Sequence, residues 1–347
     1  MPILLTGQKG YIGSLMTRLL LTKGYDLVGF DSDLYNGCYF GPSDEVSIPN
    51  IRKDIRDVEA SDLRGFDAVI HLAGLSNDPL GYFDPYITDE INFEASVKLA
   101  KLSKKVKVQR FLFSSSCSIY GAARAEMVNE KSKPHPITPY GRSKIQAEKV
   151  ISNLADRDFH PTFLRSATAY GVSPKLRFDL VLNNLVAWAY TTGDIFLKSD
   201  GNSWRPIVHI EDISRAFIAI LNAPLDLVSN EVFNVGITEE NYQIRELAEI
   251  VKDTVPGSHI TYAKDAGPDK RSYRVDCSKL TNTINEYQPQ WNARKGAKQL
   301  YDAYKAVGLK STEEFEGPRY KRLKHLKQLI STGQLNSNLR WEKIHPS

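Results

Sequence analysis

The chain has 347 residues, 41% of them hydrophobic and 25% charged, with a net charge of +4. That length allows one large or two modest domains with an ample core, and so mild a charge marks neither a nucleic-acid nor a membrane protein. Cys38, Cys117 and Cys277 are few, odd in number and far apart, which argues for neither a disulfide framework nor a metal site. No run approaches the ~18 apolar residues of a membrane span, and no charged and apolar leader precedes the first strand. The expected setting is reducing and cytoplasmic, with no membrane or nucleic-acid partner.

The N-terminal stretch Leu4-Leu5-Thr6-Gly7-Gln8-Lys9-Gly10-Tyr11-Ile12-Gly13 organises the rest. A short apolar run meets three glycines spaced three apart, and a helical pattern follows from Ser14 to Leu21. One glycine permits the tight turn, one lets the backbone approach a pyrophosphate, and one lets the helix pack close on the strand. The diphosphate then lies on free N–H groups at the helix N-terminus. Residues 25–30 read as a second strand ending on Asp31, placed to bond an adenosine ribose. Its carboxylate would repel a 2′-phosphate, so the expected cofactor is NAD rather than NADP.

Residues 32–50 read as a loop, and 50–57 as a short strand ending in a polar turn. There Asp54 and Ile55 either offer a carboxylate and an apolar face to an adenine, or Asp54 simply caps the turn. Residues 66–74 are a buried type of strand ending in Leu72, Ala73 and Gly74, where small residues let a cofactor approach the backbone; His71 reads as a core histidine. Residues 84–105 have helical periodicity and carry Asn92. The strand 107–113 runs into Ser114-Ser115-Ser116-Cys117-Ser118-Ile119-Tyr120-Gly121, a run of hydroxyls that suits a polar site.

After a proline-containing loop, Tyr140-Gly141-Arg142-Ser143-Lys144 opens a helix that continues through Leu154. Tyr140 and Lys144 are i and i+4 and share a face. A free tyrosine titrates near 10, and an ammonium one turn away favours its phenolate. With the Ser116 hydroxyl holding the substrate oxygen, the set can take a proton from a sugar hydroxyl while hydride leaves for nicotinamide.

Residues 161–171 form the next strand and its exit. Beyond it the strand–helix alternation weakens: a helix over 178–190 with Asn183 and Asn184, strands at 194–198 and 204–209, a helix over 211–222, a strand at 231–236, a helix over 243–252. Asp269, Lys270, Arg271 and Arg274 surround Tyr273, either as a clamp for a diphosphate or as a solvated charged loop. Residues 318–330 form a basic amphipathic helix that packs its leucine face.

Taken together these motifs resemble the extended short-chain dehydrogenase/reductases, in particular their NAD-dependent nucleotide-sugar epimerase/dehydratase group. Thr6 to Gly13 looks like that family's cofactor turn, Asp54-Ile55-Arg56-Asp57 like its adenine-side motif, and His71-Leu72-Ala73-Gly74 like its fourth strand. Ser114 to Gly121 with Tyr140-x-x-x-Lys144 looks like its catalytic set. The resemblance implies an α/β fold: a Rossmann doubly wound parallel sheet over 1–165, joined later by segments near 207–236, and a smaller mixed α/β substrate domain over 166–347. It implies that Ser116, Tyr140 and Lys144 are catalytic. Gly7, Gly10, Tyr11, Ile12, Gly13, Asp31, Asp54, Ile55, Leu72, Ala73, Gly74 and Ser114 would hold NAD, together with Tyr140 and Lys144. Ser76, Ser116, Thr168, Asn183, Arg205 and Arg271 would hold a nucleotide-diphosphate sugar, and a homodimer would form through a bundle containing the Tyr140–Lys144 helix. Cys117-Ser118 stands where relatives that dehydrate their sugar carry Asp-Glu. The expected activity is therefore nucleotide-sugar epimerisation, with transient oxidation at C4. The alternatives are a dehydratase or 4-ketoreductase making a deoxysugar, and a non-catalytic NAD-binding protein.

Overall fold

The computed structural model describes residues 1–42, 46–121, 123, 127–269 and 271–342. Its centre is a sheet of seven strands: β1 (Pro2–Thr6), β2 (Asp26–Asp31), β3 (Asn50–Arg52), β4 (Ala68–His71), β5 (Arg110–Ser116), β6 (His160–Ser166) and β7 (Val232–Val235). The spatial order is β7-β6-β5-β4-β1-β2-β3, with every pairing parallel. This is the doubly wound Rossmann arrangement of an α/β protein, and its strand order reverses between β1 and β4.

Alternation along the strands explains the layers. Ile3 and Leu5 point to one side, where the helices Tyr11–Thr22 and Ile210–Asn222 bury Met16, Leu20 and Phe217. Leu4 points to the other, into a layer that holds Leu99 of the helix Ala95–Lys105 and Ala147 of the helix Pro139–Ser152. Parallel strands covered on both faces read as continuous apolar runs, and β4 is buried at all its positions.

Several elements differ from their sequence reading. The run 161–171 is two strands, because Ala167 breaks it: β6 stays in the main sheet while Thr168–Tyr170 pairs with Trp204–His209 in a smaller one. The expected helix at 178–190 runs from Val181 to Thr192, since Phe178, Asp179 and Leu180 turn inward to a cavity. Within 84–105 the helix widens to a π-helical turn over Glu90–Glu94, a geometry that recurs at functional sites. The helix Ala293–Val307 lay in a stretch whose pattern was not read. The basic C-terminal helix, Arg322–Ser331, does pack its apolar face, burying Leu326 and Leu329 beside the main sheet. No described helix is long and apolar enough to cross a membrane.

His71 is a core histidine, as read. Its Nδ1 lies 2.7 Å from the Thr6 hydroxyl and its Nε2 2.8 Å from that of Ser96. Burial lowers its pKa to about 3. The unfolded chain therefore binds one more proton here than the fold between pH 6.5 and about 3, and stability falls as pH drops through that window. The expected contribution to the slope is up to about 1.4 kcal/mol per pH unit. Urea midpoints measured across the window should show a shallower slope for His71→Gln than for the native chain.

Candidate active site

The C-terminal ends of the strands open into one cavity of about 650 Å³, in the crevice where open α/β sheets bind ligands. Of the residues selected from the sequence as contacts for NAD or substrate, all but Asn183 line it.

The glycine turn is built by close approach. A Cβ on Gly13 would lie 2.1 Å from the Gly7 carbonyl oxygen, and one on Gly7 would lie 2.7 Å from the Ala73 nitrogen. Gly7 also has a φ of +73°, which favours glycine. The helix Tyr11–Thr22 thus starts directly on the turn, with Gly10, Tyr11 and Ile12 facing the cavity. Asp31 ends β2 beside them and accepts the amide protons of Lys9 (3.1 Å) and Asp33 (2.8 Å); burial raises its pKa. A glycine cradle, open helical N–H groups and a carboxylate at the second strand fit a dinucleotide. Asp54 does cap the turn, accepting from the Arg56 amide at 2.9 Å and pairing with its guanidinium at 2.8 Å, while it and Ile55 face the same cavity.

Ser116, Tyr140 and Lys144 meet on the opposite wall. Thr138 caps the helix Pro139–Ser152 through the Gly141 amide (3.1 Å), and Pro139 begins it, so Tyr140 sits in the first turn. A hydrogen bond from Ser116 favours the phenolate, yet burial outweighs it and pushes Tyr140 up to about 12. Lys144 lies 5.9 Å from the Tyr140 ring centre and donates to the Ser114 carbonyl at 2.8 Å. Burial lowers its pKa to about 8, against the opposing pull of Glu148. The sequence argument weighed only the lysine's charge; in the fold desolvation is the larger influence on both groups.

Behind this wall is a network the sequence did not reveal. The Arg165 guanidinium of β6 grips the Glu148 carboxylate, with Nη2 at 2.7 Å and Nε at 3.1 and 3.2 Å from its two oxygens. The Ser115 hydroxyl donates to the same carboxylate, and Arg165 also reaches the Tyr120 hydroxyl at 3.0 Å. Asn92, on the π-helical turn, spans Leu75 N and O at 2.8 and 2.9 Å and Ser143 Oγ at 3.3 Å. Helix, strand end and loop are therefore fixed to one another.

Elsewhere on the cavity lining Arg205 and Arg271 share Asp269 at 2.7 Å each, and Arg271 also holds Asp78 at 2.7 Å. The cluster is a built pair of guanidiniums on the cavity wall; Lys270 lies outside the described residues. Ser76 accepts from Arg177 at 2.9 Å, and Arg177 pairs with Asp179. Thr168 lines the cavity as expected. The hydroxyls of Ser118 and Ser166 and Oδ1 of Asp78 line it too, buried and without partners among the described residues, as polar atoms awaiting a ligand would be.

The profile of the NAD dependent epimerase/dehydratase family matches residues 3–236. The chain belongs to this family. It is 28% identical over 323 residues to the UDP-glucose 4-epimerase of Lactobacillus helveticus, an alignment covering 84% of this chain and 92% of that one. The solved UDP-glucuronic acid 4-epimerase of Bacillus cereus, in complex with UDP-glucuronic acid and NAD, is 26% identical with a TM-score of 0.74, covering 88% of this chain and all of that one (100%). The fold is also that of TunA, an NAD-dependent NDP-hexosamine 5,6-dehydratase from tunicamycin biosynthesis, at a TM-score of 0.77 and 22% identity over 88% of this chain and 98% of TunA.

Within this family member, one sequence expectation needs revision. Asn183 is fully buried below the cavity: its Oδ1 accepts the Gly171 amide at 3.1 Å, and its Nδ2 reaches the Tyr11 hydroxyl at 3.0 Å and the Arg177 carbonyl at 2.9 Å. Its neighbour Asn184 takes the cavity position, one step of about 100° round the helix. Arg177 and Asp179 were missed because they fall in an irregular stretch with no period to read. Cys117 is also buried away from the cavity, its Sγ 3.1 Å from the Arg165 carbonyl, and burial pushes the thiol well above its ordinary pKa. Removing one partner of the Glu148–Arg165 pair leaves a buried charge uncompensated. Arg165→Met should therefore cost about 3–5 kcal/mol in urea unfolding, and Arg165→Met/Glu148→Gln should recover part of the loss.

Proposed function

We propose that the protein is an NAD-dependent nucleotide-sugar epimerase that oxidises its sugar transiently at C4. The observation that carries the reading is the Ser116–Tyr140–Lys144 set on one wall of a cavity whose other walls hold a glycine cradle and two arginines. Bound NAD would supply the hydride acceptor and donor. Tyr140 takes the proton of the sugar 4-hydroxyl and later returns it. Ser116 hydrogen-bonds to the tyrosyl oxygen and orients the reacting hydroxyl, while its own Oγ accepts the Ser118 amide at 3.1 Å. Lys144 holds the nicotinamide ribose, and its charge favours the phenolate.

Arg205 and Arg271 take the diphosphate of the nucleotide sugar, with Thr168, Ser76 and Asn184 around the sugar nucleotide. Cys117, out of the cavity, cannot replace the acid of a dehydrating relative, which supports epimerisation over dehydration. The reading includes a homodimer through the helices Ala95–Lys105 and Pro139–Ser152, and Phe93, Val97 and Leu102 edge a surface hollow along the first of them.

The test is incubation with UDP-, GDP-, CDP- and dTDP-sugars in D₂O without added NADPH, read by mass spectrometry and NMR. An isomer of equal mass without solvent deuterium is the expected product. Loss of 18 mass units would make the protein a dehydratase. No product from any sugar would point to a 4-ketoreductase or a non-catalytic NAD-binding protein. Tyr140→Phe should lower turnover about 10²–10⁴-fold.

A further inference from the structure

Arg322 opens the C-terminal helix, well beyond the residues the family profile matches. Its side chain lines the cavity although the residue is only 3% exposed. Nη2 donates to the Lys175 carbonyl at 2.9 Å, and the guanidinium lies 4.1 Å from the centre of the Tyr35 ring, beside the Cys38 thiol. Nη1 is buried with no hydrogen-bond partner, and no carboxylate pairs with this arginine among the described residues. The nearby Arg177 differs in being paired directly with Asp179, whose charge reaches Arg322 only at longer range. A buried cation with no direct ion pair is expensive, and an unpartnered guanidinium N–H beside a cavity is suited to a phosphate oxygen.

The surroundings fix which phosphate. The C-terminal segment is pinned to the loop leaving β2: His325 Nε2 lies 3.0 Å from the Leu34 carbonyl, and Trp341 Nε1 donates to the Ser32 carbonyl at 2.6 Å. That loop follows directly from Asp31 and carries Tyr35. On the other side, Asn183 joins the Arg177 carbonyl to the Tyr11 hydroxyl, at the start of the helix that follows the glycine turn. Arg322 therefore stands on the dinucleotide side of the cavity, away from the Arg205–Arg271 pair that shares Asp269.

We propose that Arg322 is a ligand of the bound dinucleotide's diphosphate, so that the C-terminal helix is a clasp that slows cofactor release. The proposal rests on the NAD reading of the cavity. It assigns retention of the cofactor to a segment outside the matched part of the chain.

The experiment compares the full-length native protein with Arg322→Met and Arg322→Lys, measuring NAD content after dialysis, the NAD release rate, and titrations with ADP-ribose and UDP. Arg322→Met should release NAD at least about tenfold faster and weaken ADP-ribose by a similar factor, with UDP affinity unchanged. Arg322→Lys, which keeps the charge without the fork, should fall between. A loss of UDP affinity with NAD held normally would place the sugar nucleotide's diphosphate here and overturn the proposal. Unchanged release in a folded Arg322→Met variant would overturn it too. If the Met variant does not fold, Arg322→Lys with native NAD and ADP-ribose binding does the same. A native protein that binds neither NAD nor ADP-ribose would instead remove the underlying cofactor reading.

Discussion

The Glu148–Arg165 pair is the constraint on which the site depends. Both side chains are about 95% buried, so neither can be satisfied by water. Each must be satisfied by the other and by neighbours, here Ser115 and the Tyr120 hydroxyl. Glu148 is one turn beyond Lys144 on the same helix, and Arg165 is on β6, next to β5 in the sheet. The pairing fixes the height and rotation of the helix against the strand that ends in Ser116. Tyr140 and Lys144 are aimed by this lock together with their own bonds to Ser116 and to the Ser114 carbonyl. Tyr120 passes the constraint on, bonding Asn234 of β7 at 2.8 Å.

Burial then sets the electrical state of the site. It moves Tyr140 toward its neutral form and Lys144 toward its own neutral form. A cavity with Tyr140 near 12 and Lys144 near 8 holds little ionised phenolate at neutral pH. The Ser116 hydrogen bond and the Arg177 charge work against this at Tyr140. The charges of the Arg205–Arg271 cluster are arranged differently. Asp269 and Asp78 balance Arg205 and Arg271, which makes the cluster nearly neutral in total and highly directional.

Local signals were legible in the sequence where a feature depends on nearby residues. Gly7, Gly10 and Gly13 with Asp31, the Tyr140–Lys144 spacing and the serine run at the end of β5 all lie where the motifs put them. What escaped reading depends on contacts across the chain. Arg177 and Asp179 lie in a stretch without period, and their meaning comes from Ser76 and Asn77, about 100 residues earlier. Arg322 sits in a helix whose leucines announced packing and whose basic residues gave no direction. Asn183 and Asn184 are adjacent and identical, and only the helix phase tells which faces the cavity. The break at Ala167 was hidden because both halves are extended, and extended chain looks the same whichever sheet it joins.

That break bears on how the cleft moves. Ser166 belongs to the main sheet and Thr168 to the smaller one, so a single residue links the two walls. Ala167 itself is buried, its amide held by the Val235 carbonyl at 2.9 Å. A hinge needs a few positions free to absorb changes in φ and ψ, and here there are none. The junction is short and held, which argues against a hinge between the two walls at this point.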